Sequence, residues 1–202
     1  MQKLLIATKN KGKIAELSRF MSDLPLRLVS LKDMRITDDV EENGTTYQEN
    51  SQKKAIFYAK KSGLPTVSDD SGLEILALGG KPGIHSRRWL GFEAKDEDLI
   101  NHMIKISKEL PENNREAYFK TIISFALPDG TIYSKGGEIK GIITEKPSPK
   151  IIKDYPYRSF FFLPQINKFY HEEELSSEET KIYNHRYKAI QSLKPIIKKY
   201  IL

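Results

Sequence analysis

Ser68-Asp69-Asp70-Ser71-Gly72 sets two adjacent carboxylates among hydroxyls and beside a glycine, an oxygen-rich group suited to a hard cation. Such cations are bound by one or two carboxylates together with water and substrate phosphates. A paired aspartate can also orient or deprotonate a water. The group follows an apolar run ending in Val67 and leads into Leu73-Glu74-Ile75-Leu76-Ala77-Leu78, which reads as a strand. The carboxylates are therefore expected at the mouth of that strand. An acidic pair before Ser-Gly suits a plain turn equally well, so other segments must decide.

Three other segments bear on the choice. Thr8-Lys9-Asn10-Lys11-Gly12-Lys13 lies between a strand and a helix start, where backbone N–H groups and the helix dipole attract phosphate. Lys13 adds charge, and Thr8 and Asn10 add neutral donors. The loop does not match the common G-x-x-x-x-G-K-[ST] pattern, and it also reads as a plain connection. Val40 to Asn50 places Glu41, Glu42 and Glu49 just before a helix; Glu41 could ligate a metal, while Glu42 and Glu49 suit solvated or capping roles. Further along that helix, Lys53 and Lys54 are neighbours and point about 100° apart, so at most one aims into a shared cleft. Gly79 to Gly91 combines glycines, His85, Arg87 and Arg88, and an arginine there could grip phosphate with its planar fork.

The elements that must hold these groups follow from the apolar pattern. Leu4 to Ala7 read as a buried strand, and Ile14, Leu17, Phe20, Met21 and Leu24 recur at helical spacing. Strand, loop and helix in that order open an α/β fold. Leu26 to Leu31 read as a second strand. Helices are expected over 46–62, with Tyr47, Ala55, Ile56 and Ala59 toward the core, the lysines outward and an end at Gly63-Leu64-Pro65, and over 96–109. Strands are expected over 116–127, 131–134 and 137–144, with a turn at Pro128-Asp129-Gly130. Residues 145–157 read as loop and 160–163 as a short buried strand. A helix entered through Ser176-Ser177-Glu178-Glu179 precedes a last helix from about His185, which Pro195 should kink.

Composition narrows the classes. The chain has 202 residues, 39% hydrophobic and 30% charged, enough for one soluble domain of one or two closely packed lobes. The absence of cysteine excludes disulfides, thiolate metal sites and cysteine nucleophiles. No apolar segment approaches the ~20 residues that span a bilayer, and the first apolar run is too short for a signal peptide, so a cytoplasmic protein is expected. The net charge of +6 permits an anionic partner, either nucleic acid or a polyanionic small molecule.

Taken in order, these segments resemble the inosine triphosphate pyrophosphatase family. The resemblance is carried by Ala-Thr-x-Asn-x-Gly-Lys-x-x-Glu at Ala7 to Glu16 and by Glu-Glu-x-Gly-x-Thr-x-x-Glu-Asn at Glu41 to Asn50. It continues through Asp69-Asp70-Ser71-Gly72-Leu73 and Pro-Gly-x-x-Ser-x-Arg at Pro82 to Arg88. It implies a single domain over residues 1–202, an α/β fold with an elongated mixed sheet flanked by helices, and two lobes around a central nucleotide-binding cleft. It also implies Mg²⁺-dependent cleavage of ITP, dITP and XTP to the monophosphate and pyrophosphate. Carried over by position, Glu41 and Asp70 would bind the metal. Asp70 would activate water with Asp69 in support, and Thr8, Asn10, Lys13, Lys54, Ser71 and Arg88 would contact the triphosphate. A homodimer is implied, with no membrane and no stable nucleic-acid partner.

The C-terminal third departs from the family pattern. Where the family has Gly-Phe-Gly-Tyr-Asp-Pro, this chain has Asp154-Tyr155-Pro156-Tyr157-Arg158-Ser159. Tyr155 and Tyr157 keep aromatic surface for a base, Pro156 removes a backbone donor, and Arg158 reverses the charge of an expected acid. The family's Ser-His-Arg becomes Asn184-His185-Arg186. Arg186 offers donors only and so favours a base with a keto acceptor. The family lysine falls one position closer to the histidine, at Lys181, about 100° round the helix from its usual place. Two other readings stay open: a pyrophosphatase retuned to another nucleotide, and a non-catalytic nucleotide or nucleic-acid binder with salt-sensitive affinity.

Overall fold

The structure is a computed structural model that describes residues 1–171 and 173–201. Eight strands are β1 (Lys3–Ile6), β2 (Arg27–Ser30), β3 (Thr66–Ile75), β4 (Lys81–Pro82), β5 (Glu116–Ala126), β6 (Ile132–Ile143), β7 (Phe161–Leu163) and β8 (Lys168–Phe169). Five helices are α1 (Lys11–Phe20), α2 (Tyr47–Ser62), α3 (Asp96–Glu109), α4 (Ser177–Tyr183) and α5 (His185–Ile201). The strands form one sheet in the order β2-β1-β3-β5-β6-β7-β8, with β4 paired to β3 off this path. β1 runs parallel to β2 and β3, whereas β4, β7 and β8 pair antiparallel, so the sheet is mixed as expected. Among the described residues no helix is long and apolar enough to cross a membrane.

The chain divides into two compact units. Unit 1 comprises Met1–Asp70, Thr121–Gly137 and Arg186–Leu202, and unit 2 comprises Ser71–Lys120 and Glu138–His185. In unit 1, β1 alternates between two packed faces, as a strand buried on both sides must. Leu4 and Ile6 join Leu17 and Phe20 of α1 and Ile190 and Leu193 of α5. Leu5 and Ala7 join Tyr58 of α2. Unit 2 has its own core, in which Leu73, Leu99, Met103, Phe119, Phe160, Phe161 and Tyr170 are buried together.

Local signals set the helix ends. Asn10 caps α1 by accepting from Lys13 N at 2.8 Å, and Thr46 caps α2 by accepting from Glu49 N at 3.1 Å. Gly63 ends α2 in the left-handed region, at φ 67°. Ser176 and Glu179 form a reciprocal capping box at the start of α4.

Three expectations are corrected. The acidic pair lies inside β3, not at a strand mouth or in a turn, because that strand runs unbroken from Thr66 to Ile75. Residues 132–143 form one strand where two were expected. Gly136 stays extended there, and a Cβ on it would come within 3.1 Å of Ile122 Cδ1, so it admits a neighbouring side chain and makes no turn. The lysines of α2 are not all outward, since Lys54 is buried. β4 and β8, each two residues long, gave no apolar run to read.

Candidate active site

Adjacent residues of a strand point to opposite faces, so Asp69 and Asp70 do not form a facing pair of carboxylates. Val67 packs with α1 and α5, and Asp69, two residues on, faces the same way. Ser68 bonds Ser51 of α2, and Asp70 shares that side.

Asp69 is fully buried and surrounded by donors. Lys13 Nζ lies 2.6 Å from its Oδ2, Arg186 Nε 3.4 Å from its Oδ1, and Thr121 Oγ1 donates to the same oxygen. Burial works to raise the pKa of Asp69, but Arg186 and Lys13 beside it, with the bonds from Lys13 and Thr121, hold it well below the usual carboxylate range. Arg186 also donates through Nη1 to buried Glu16 at 3.0 Å. Its guanidinium is thus engaged by two carboxylates of unit 1.

Asp70 sits differently. Asn50 Nδ2 donates to its Oδ2 at 3.3 Å, and Lys54 Nζ lies 3.5 Å from its Oδ1. Lys54 also reaches Glu42 at 3.1 Å and donates to the Asp69 carbonyl at 2.9 Å. Burial pushes the Asp70 carboxyl up to about 6; Lys54 and Lys13 pull it down, while Glu42 and Asp69 add to the rise. For Lys54, burial opposes the charge, but Asp70, Glu42 and Asp69 outweigh it and raise its pKa.

The cluster holds Glu16, Glu42, Asp69 and Asp70 against Lys13, Lys54 and Arg186. Asp69 has both Lys13 and Arg186 beside it, whereas Asp70 shares Lys54 with Glu42. Among the described residues no group of three or more acidic or histidine side chains is arranged to hold a metal. A hard cation that keeps several waters and takes one or two carboxylates with substrate phosphates fits this donor set.

The sequence-predicted residues are distributed as follows. Thr8 and Asn10 shape the first loop, with Thr8 Oγ1 accepting from Asn10 N at 3.2 Å. Lys13, Lys54, Asp69 and Asp70 come together in unit 1, and Arg186 joins them. Lys53 is exposed and donates to Asn43. Glu41 is exposed and accepts from Asn43 at 3.1 Å, while Glu42 is the loop carboxylate on Lys54. Glu49 accepts from Thr45 N at 2.6 Å, the capping role open to it. Ser71, half-buried, and Arg88, exposed, belong to unit 2.

Unit 2 also carries the aromatic group. Tyr157 is buried, its hydroxyl donating to the Ser86 carbonyl and its ring 6.1 Å from that of Trp89. Tyr155 is half-buried beneath the guanidinium of Arg158, whose carbon lies 3.7 Å from the ring centroid. The other face of Arg158 meets Tyr170 at 4.4 Å, so this arginine, 1% exposed, is held between two tyrosines. Tyr170 Oη lies 3.0 Å from His185 Nδ1, and the His185 ring stacks on Phe119 at 5.4 Å and 19°. Lys181 is exposed and pairs with Glu178 at 2.5 Å. Asp154 stands at φ 69°, in the left-handed region that favours glycine.

Glu16, Asn50 and Thr121 were not singled out from the sequence. Asn50 links the acidic loop to Asp70: it accepts from Gly44 N at 2.8 Å, and a Cβ on Gly44 would lie 2.6 Å from its Oδ1. Glu16 and Asn50 close two of the motifs quoted above, which was the available signal. Thr121 has none, since only strand pairing brings it to Asp69.

The Ham1 family matches residues 4–196 of this chain. The chain belongs to the Ham1 family. A protein of Geobacter sulfurreducens named dITP/XTP pyrophosphatase is 37% identical over 194 residues, covering 96% of each chain. The Escherichia coli K12 protein of the same name is 35% identical over 195 residues, again 96% of each. Among solved structures, a HAM1 protein from Coxiella burnetii matches with a TM-score of 0.82 at 28% identity, covering 98% of this chain and all of that one. The Ham1 protein of Staphylococcus aureus matches at 0.78 with 29% identity. The resemblance read from the motifs is thereby borne out over nearly the whole chain.

Proposed function

We infer that this chain hydrolyses non-canonical purine nucleoside triphosphates, ITP, dITP and XTP, to the monophosphate and pyrophosphate. The observation that carries this reading is the Asp70 cluster: a buried carboxylate paired with Lys54 and near Lys13, in a chain whose relatives bear the name dITP/XTP pyrophosphatase. A triphosphate is strongly anionic, and cleavage moves further charge onto pyrophosphate, so fixed cations lower the barrier. Lys13 and Lys54, held in place by Asp69 and Glu42, supply it. Thr8 and Asn10 of the first loop add neutral donors.

We assign water activation to Asp70, the buried carboxylate that shares Lys54 with Glu42. Asp69 is held ionised by three donors, and its work is to fix Lys13 and Arg186. A divalent cation, Mg²⁺ in this reading, would be held by Asp70 and Glu42 and would screen the triphosphate charge. We assign Glu42 this role in preference to Glu41 because Glu42 shares Lys54 with Asp70. The family resemblance assigns the base to Tyr155, Tyr157, Lys181 and His185, of which Tyr157 and His185 are buried within unit 2 and Lys181 pairs with Glu178. We further read residues 1–202 as one functional domain that acts as a cytoplasmic homodimer without a stable nucleic-acid partner.

Hydrolysis of ITP in ¹⁸O-water tests the reaction. Label in the monophosphate, with unlabelled pyrophosphate, places the cut between the α and β phosphates; inorganic phosphate as product contradicts the reading. A second reading, a pocket retuned to another nucleotide, is favoured by Arg158 in place of the family's acid. Arg158→Asp discriminates: a gain in preference for ITP supports retuning, and an unchanged preference removes it.

A further inference from the structure

Asn50 lies in the first turn of α2, is 1% exposed, and directs both ends of its amide away from that helix. Its Oδ1 accepts from Gly44 N at 2.8 Å, and its Nδ2 donates to Asp70 Oδ2 at 3.3 Å. The helix start does not depend on these bonds. Thr46 Oγ1 accepts from Glu49 N at 3.1 Å, and Glu49 Oε2 accepts from Thr45 N at 2.6 Å and from Thr45 Oγ1 at 3.0 Å. Asparagine is also a mediocre helix former, so propensity does not account for it at this position.

The amide has one productive orientation. A backbone N–H only donates, so the atom facing Gly44 is the carbonyl oxygen. The NH₂ group is thereby turned to the Asp70 carboxylate, which accepts. A flipped amide would set N–H against N–H at one end and oxygen against oxygen at the other. The close approach needs the glycine, because a Cβ on Gly44 would lie 2.6 Å from Asn50 Oδ1 and 2.8 Å from Glu49 Cβ. The other partner of Asp70 is Lys54, 3.5 Å from Oδ1 and shared with Glu42 and the Asp69 carbonyl. An ammonium is a point charge on a flexible stem and sets little of a carboxylate's plane. The directional contact is that of Asn50.

We propose that Asn50 is a positioning residue: the Gly44 N–H turns its amide, and the amide in turn fixes the plane of the Asp70 carboxylate and ties it to the acidic loop that carries Glu42. The effect on turnover rests on the reading of Asp70 as the residue that activates water. The Gly44–Asn50–Asp70 chain of bonds does not depend on that reading.

The test has a kinetic arm and a spectroscopic arm, both on the full chain. Asn50→Ala should lower kcat for ITP at saturating Mg²⁺ by at least about tenfold with KM within about threefold, as misplacement of a reacting group does. Gly44→Ala, which leaves Asn50 and Asp70 in the chain but crowds the amide, should lower kcat in the same direction and keeps the test informative if Asn50→Ala does not fold. A lower melting midpoint with kcat unchanged, or a loss confined to KM, marks a merely structural residue and overturns the proposal. In a ¹H–¹⁵N spectrum, the Asn50 side-chain amide signals, identified by their loss in Asn50→Asp, should move in Asp70→Asn and in Gly44→Ala. Signals that stay in place in Asp70→Asn overturn the proposal. A chain whose amide signals respond as expected but which does not turn over ITP contradicts the substrate reading and leaves the positioning of Asp70 standing.

Discussion

The two units use their buried polar residues in opposite ways. Unit 1 gathers four carboxylates and three cations around β3, and each side chain there is placed by a charged neighbour. Unit 2 places one arginine between two tyrosines and ends the stack on a histidine, with aromatic faces as the main partners. Charge networks are intolerant, because removing one partner of a buried pair leaves the other without compensation. Aromatic stacks tolerate exchange more readily, since ring contacts carry less directional demand. The difference teaches which unit tolerates change: the charged cluster of unit 1 depends on each of its partners, and the aromatic group of unit 2 does not.

Substitutions can break that comparison, beginning with the largest effects. Asp70→Asn should lower kcat/KM by about a thousandfold or more, because it removes the proton acceptor and a metal carboxylate together. Its circular dichroism and melting curve should stay close to those of the parent. Removal of divalent metal with a chelator should abolish turnover and readdition of Mg²⁺ should restore it; turnover that survives chelation would take the cation out of the account.

Asp69→Asn sharpens the contrast within one strand. It should destabilise the fold by about 3 kcal/mol or more in a denaturant titration, since Lys13 and Arg186 lose their buried counter-charge. Equal stability for the Asp69 and Asp70 variants would contradict their division of labour. Tyr157→Phe in unit 2 should cost only about 1 kcal/mol, the hydrogen bond to Ser86, with little change in kcat. Smallest of all, Asp154→Gly should leave the melting midpoint within a few degrees, because relief of a left-handed backbone offsets the added freedom of the unfolded chain.

The same contrast explains what could be read in advance. The strand-loop-helix opening and the α3 limits were legible because apolar spacing sets them, and the charged motifs of unit 1 are local in sequence. Which face each aspartate takes was not legible until β3 was seen to run through both. Helix geometry narrowed the inward lysine to Lys53 or Lys54, and only the resemblance chose Lys54, since the choice depends physically on the strand opposite. Thr121 and the Glu16–Arg186 pair are assembled only by tertiary packing, and nothing near them in the chain announces it. Arg158 was legible as a charge reversal, yet its enclosure by Tyr155 and Tyr170 depends on β8 and the residue after it, which gave no signal.

The cleavage proposed for the Asp70 cluster is the point on which the rest depends. The measurement that tests it most directly is Mg²⁺-dependent turnover of ITP, dITP, XTP and the common nucleoside triphosphates by the parent chain, with products separated by ion exchange. The account predicts monophosphate and pyrophosphate from ITP, dITP and XTP, with kcat/KM at least about a hundredfold above that for ATP and GTP. Equal turnover of all of them, or none of any, would contradict it.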